Sequence, residues 1–78
     1  MKTIISIIER AGDSGYSIYA KDEKVPVTGA GLTENEVKKD YEGALKGQAE
    51  YYKEIKGKYP EWYSNGYKID YRYDVSAL

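Results

Sequence analysis

The chain has 78 residues, no cysteine, no histidine and a net charge of −1, with 12 basic side chains against 13 acidic ones. That length makes one domain, 1–78, near the lower limit of what folds alone; without cysteine there is no disulfide staple or thiolate metal site, and without histidine there is no imidazole catalysis. A free-standing nucleic-acid binder carries a basic excess that is missing here, and no apolar run is long enough to span a membrane, so the expected molecule is soluble and cytoplasmic, with no membrane partner.

Lys2 to Arg10 reads as a strand, about 2–10. Its isoleucines, Ile4, Ile5, Ile7 and Ile8, put an apolar pair on each face, which fits a central strand. Ala11 to Gly15 is a turn cluster of hairpin length. A second strand, about 16–20, sets Tyr16, Ile18 and Ala20 on one face. Lys21-Asp22-Glu23-Lys24 is a charged reversal. A third strand is expected over 25–28, with Pro26 arguing for a sheet edge. Gly29-Ala30-Gly31 reads as a turn leading to a helix cap.

The one long helical signal follows, about 34–56. Val37, Tyr41, Ala44, Leu45, Tyr52 and Ile55, with Gln48 in line, make a single apolar stripe at helical spacing. Thr33 and Glu36 form a capping-box pair, Glu36 reaching back to Thr33. Gly57 and Pro60 mark the stop, with Lys53, Lys56 and Lys58 near the negative end of the dipole. Lys58 to Gly66 reads as a loop in which Trp62 and Tyr63 fold back on the core. The last strand, about 67–75, alternates Tyr67, Ile69, Tyr71, Tyr73 and Val75 with Lys68, Asp70, Arg72 and Asp74. Ten tyrosines and no phenylalanine suit a thin core whose rim stays wet.

The order β-β-β-α-β predicts an α+β fold: a four-stranded sheet, order 3-2-1-4, with one helix on one face. The fourth strand lies parallel to the first after a right-handed crossover. Nothing in the chain covers the other face, to which the first strand still offers isoleucines. A patch of that kind marks a partner surface.

Three features resemble the HicB family of antitoxins: Ile7-Ile8-Glu9 ahead of a turn and the aromatic strand Gly15-Tyr16-Ser17-Ile18-Tyr19; the segment from Gly29 to Val37, a Gly-x-Gly-x-Thr-x-x-Glu entry into a capped helix; and an amphipathic helix ending in Tyr51-Tyr52-Lys53-Glu54. The resemblance implies a degraded ribonuclease-H-like fold that binds a small basic RNA-cleaving toxin (HicA-like) and occludes it, without catalysis of its own. Two features depart from the family. Lys21 to Pro26 stands where its Pro-Asp-Leu-Pro-Gly would be, and its DNA-binding segment is not among these residues. The chain is therefore expected to stop short of a C-terminal segment, and DNA binding to need that segment.

Catalytic, cofactor and metal sites are all expected to be none. Asp70 and Asp74 share a strand face but interleave with Lys68 and Arg72, as solvated charges do. The candidate partner site is a helix flank: Glu36, Asp40, Glu50 and Glu54 in line, with Gly43 and Gly47 between. Mid-helix glycines cost about 1 kcal/mol each and like charges four apart a few tenths more. Such a flank either seats a basic partner or is an ordinary solvated face whose glycines pack near a loop. The Tyr67, Tyr71, Tyr73 ladder is either core or a base-stacking platform. The expected role is protein binding with a homo-oligomer, a dimer formed through the sheet, favoured. The alternative is a regulatory or dimerisation domain of a transcriptional regulator without a toxin.

Overall fold

A computed structural model describes residues 2–12 and 14–73. Within them the chain runs β1 (Lys2–Arg10), β2 (Tyr16–Ala20), β3 (Thr28–Gly31), α1 (Glu34–Lys56), α2 (Glu61–Ser64) and β4 (Tyr67–Tyr73). The sheet order is β3-β2-β1-β4. The β1–β2 and β2–β3 pairs are antiparallel, and β4 is parallel to β1. This is the expected α+β fold, with α1 as its main helix.

The isoleucines of β1 divide as their spacing requires. Ile4 and Ile8 are fully buried on the helix side. Ile5 and Ile7 are half-buried on the other face. Ile18 of β2 stands opposite Ile8 and completes the same layer. From α1, Val37, Tyr41, Leu45 and Ala49 enter the core, and Trp62 closes one end. Ala49 takes a core place that the spacing did not give it. Ile55, read as part of the stripe, is 61% exposed. It lies beyond Ala49, the last residue of α1 that is buried in the core.

Three expectations are corrected. The third strand is Thr28–Gly31, not 25–28. The Asp22 carboxylate accepts from the Lys24 N–H at 2.9 Å, and the Val25 and Val27 N–H groups donate to the carbonyls of Asp22 and Val25. These local bonds hold 22–27 in turns, yet Val25 and Val27 are still buried. Gly29-Ala30-Gly31 is strand rather than turn because α1 lies directly on it. A Cβ at Gly31 would stand 2.6 Å from the Val37 nitrogen, and one at Gly29 would stand 2.9 Å from that of Tyr41. The stretch read as a loop after α1 contains the one-turn helix α2, which buries Trp62. Tyr59, Trp62, Tyr63 and Tyr67 form a chain of aromatic contacts, 4.9 to 6.0 Å between ring centres, that ties α2 to the start of β4. Strand β4 is described to Tyr73; the expected Asp74 and Val75 lie outside the described residues.

The close approach at the glycines draws α1 towards β3 and β2. On the β4 side the gap is filled by long side chains. Tyr67, Ile69 and Tyr71 pack against the core, the Lys38 ammonium lies 4.8 Å from the Tyr71 ring centre, and the Tyr73 hydroxyl donates to the Glu34 carboxylate at 2.7 Å. At Tyr73 the phenol keeps its ring on this side and its hydroxyl at the rim. Deeper in, buried Ser6 and Tyr41 share a 2.7 Å hydrogen bond.

Burial holds the Tyr41 and Tyr67 phenols above their ordinary value of 10.0. It pushes Tyr71 up to about 12, with the nearby Glu42 carboxylate adding to the effect. The folded chain therefore keeps these protons where the unfolded chain gives them up. Their contribution to stability is complete below about pH 10 and is lost as pH rises towards 12. In an alkaline titration, the phenolate absorbance of Tyr41, Tyr67 and Tyr71 should appear in a late, second stage. The second stage should coincide with loss of the far-ultraviolet dichroism. A single smooth titration of all tyrosines with the fold intact would contradict this.

Candidate protein-binding faces

The flank of α1 singled out by its charges divides into two halves. The N-terminal half is engaged within the chain. Thr33 Oγ1 accepts from the Glu36 N–H at 3.1 Å, as a capping box requires. The Glu36 carboxylate, however, accepts from the Leu32 N–H at 3.0 Å rather than from Thr33. One turn on, Asp40 Oδ2 accepts from the Ala30 N–H at 2.9 Å. Ala30 lies in β3 and Leu32 directly follows that strand, and both amides turn to acids of α1. The two acids thus occupy hydrogen-bonding positions that another strand would use. Natural sheets protect their edges in just such ways.

The C-terminal half of the flank is bare. A Cβ built on Gly43 or Gly47 meets nothing within 4 Å among the described residues, so no described loop packs against either glycine. Glu50 and Glu54 are exposed beside them. Of the six residues singled out in the sequence, the fold uses Glu36 and Asp40 and leaves Gly43, Gly47, Glu50 and Glu54 as a smooth acidic strip in solvent.

The second surface is the face of the sheet opposite α1. Ile5 and Ile7 lie at its centre, and Tyr19, opposite Ile7, is 38% exposed. On the other side of β1, Asp70 stands opposite Ile5 and Arg72 opposite Ile7. Arg72 donates to Asp70 Oδ2 through two nitrogens, at 3.0 and 3.2 Å. Both helices pack on the far side, so among the described residues no element covers this apolar strip. The β4 tyrosines do not belong to it. They lie on the helix side, away from Lys68 and Arg72, and Tyr67 and Tyr71 pack into the core. Tyr67 and Tyr71 are therefore core and Tyr73 is an exposed rim residue bonded to Glu34, and the basic neighbours are not placed to hold a stacked strand.

A third feature was not visible in the sequence. A groove of about 1130 Å³ lies where the end of α1 meets α2, lined among others by Lys24, Tyr52, Lys53, Tyr59 and Trp62. Lys53 lies 4.6 Å from the centre of the Tyr59 ring. Its walls come from four separated segments, so no local pattern reveals it. Its lysines at the helix end also offset the helix dipole.

Compared with protein-family models, with curated proteins and with solved structures, the chain matches none. Among the described residues no three Asp or Glu side chains are grouped to hold a metal ion, and no helix is long and apolar enough to cross a membrane. The functional reading therefore rests on the two exposed surfaces.

Proposed function

We propose that this chain is a protein-binding domain of the HicB-like antitoxin kind. It works in the cytoplasm by occluding a small basic RNA-cleaving toxin, and it associates with itself. The observation that carries the reading is the bare acidic strip on α1. Gly43 and Gly47 weaken the helix without packing against any other element among the described residues. Glycine is needed where another backbone approaches closely, and here the approaching backbone would belong to the partner. Glu50 and Glu54 beside the glycines supply the charge that attracts a basic surface and guides its approach.

The test is a calorimetric titration of this chain with the small basic protein encoded beside it, at two salt concentrations. Tight binding that weakens with salt is expected. The Gly43→Ala/Gly47→Ala double variant separates the partner's need from the fold's. Each alanine should stabilise the isolated chain by about 0.5–1 kcal/mol. The two added methyls should weaken toxin binding by about tenfold, because they enter a close contact. A double variant that is more stable and binds equally well would move the toxin site off this strip. No binding by the well-folded parent chain would remove toxin occlusion, leaving the regulatory-domain reading.

A further inference from the structure

The two edges of the sheet are treated differently. The β3 edge is four residues long, and its Ala30 amide and that of Leu32, just beyond its end, are taken by Asp40 and Glu36. The β4 edge is seven residues long, free of proline and glycine, and paired with β1 in unbroken register. Among the described residues, the side-chain hydrogen bonds of β4 run only from side chain to side chain, so its outer backbone groups are left free. A long, regular, unprotected edge is a template for another strand.

We propose that β4 is the edge through which two copies of this chain join, antiparallel, into one continuous eight-stranded sheet. The proposal deepens the self-association part of the reading above and does not depend on the toxin.

Charge selects both the occupant and the register. A two-fold axis through the sheet keeps both copies' helices on one side, so residues facing each other across the new pair come from the same face. With the axis at Tyr71, Asp70 of each copy stands opposite Arg72 of the other, and Ile69 stands opposite Tyr73. With the axis at Asp70, each Asp70 faces its own copy and Lys68 faces Arg72. With the axis at Arg72, arginine faces arginine. Opposite charges across a strand pair stabilise it and like charges destabilise it, so the Tyr71 register is the favoured one. The helix side supplies the apolar part. Because α1 sits towards β3, Tyr73 is left 48% exposed and Ile69 and Tyr71 half-buried. The second copy covers all three.

Sedimentation of the chain over a wide concentration range should show a monomer–dimer equilibrium. Asp70→Lys sets like charges against each other twice and should weaken the dimer by about tenfold. The double exchange Asp70→Lys/Arg72→Glu should restore it, which it would not do in the register centred on Asp70. A Tyr71→Cys variant gives an independent check in a chain with no other cysteine. Facing residues of an antiparallel pair are about 4.5–5.5 Å apart at Cα, within disulfide range, so mild oxidation should cross-link the two copies. Two results would overturn the proposal: a well-folded chain that stays monomeric throughout, or a dimer unaffected by Asp70→Lys but broken by Ile7→Lys, which would lie on the open face instead. Toxin titration of Asp70→Lys is read separately. Loss of the dimer with toxin binding intact would show that the two surfaces are independent.

Discussion

Gly31→Ala should cost this domain about 3 kcal/mol, at the upper end for overpacking a well-filled site. The added methyl would stand 2.6 Å from the Val37 nitrogen and 2.8 Å from both the carbonyl carbon and the Cβ of Glu36. Two of those atoms are helix backbone, which cannot rotate aside as a side chain does. The helix cannot lift away either without uncovering Val37, Tyr41 and Leu45, all fully buried. A domain of this size has roughly 4–12 kcal/mol of stability in total, so much of it should vanish. Urea denaturation should show the midpoint falling with the slope unchanged, as for a loss of stability without a change in compactness. Gly29→Ala should behave alike, since its methyl would meet the Tyr41 backbone at 2.9 to 3.0 Å. A loss below about 0.5 kcal/mol, the range of ordinary surface changes, would mean that α1 does not sit on β3 as described. The contrast with Gly43 and Gly47 is the point of the experiment. Four glycines near one helix divide into two that the fold requires and two that it does not.

The same glycines explain where sequence reading succeeded and where it did not. The paired isoleucines of β1, the alternation in β4 and the capped helical stripe each follow from a period within one segment. Together they were enough to order the sheet. Gly29-Ala30-Gly31 reads as a turn because glycine is a poor strand former by itself. Its strand role depends on how near α1 comes, which is a tertiary fact. Asp40 is legible in the sequence as an acid on a flank, but its bond to the Ala30 amide is not, because the residue pattern puts the edge strand at 25–28, three residues before Thr28–Gly31. Gly43 and Gly47 stand out in the sequence by their cost to the helix. That they face open space appears only once the helix is oriented. The groove beside α2 has no local signal, being assembled from four separate segments.

Tyr41→Ala should be comparably severe, at about 4 kcal/mol, the range for removing a large aromatic from a core. Tyr41 is the largest fully buried side chain, and its loss leaves a cavity between α1 and the sheet. It also strands the buried Ser6 hydroxyl, whose remaining contact is the Ile4 carbonyl at 3.4 Å. Tyr41→Phe isolates that second part. It keeps the ring and removes the oxygen, so it should cost about 1–2 kcal/mol, as for a buried partner left unpaired. Tyr71→Phe is the counterpart with the opposite expectation. Its hydroxyl is buried with no hydrogen-bond partner among the described residues, so removing it should be neutral or stabilising by up to about 1 kcal/mol. Thermal or urea unfolding of the two phenylalanine variants would separate a hydroxyl that the core uses from one that it tolerates. Equal costs would mean that the Tyr71 oxygen finds a bond in solution, with water as the natural partner. In a chain with ten tyrosines and no phenylalanine, that comparison decides whether the phenol oxygens are structural or simply accompany rings long enough to fill the gap between an off-centre helix and the far side of its sheet.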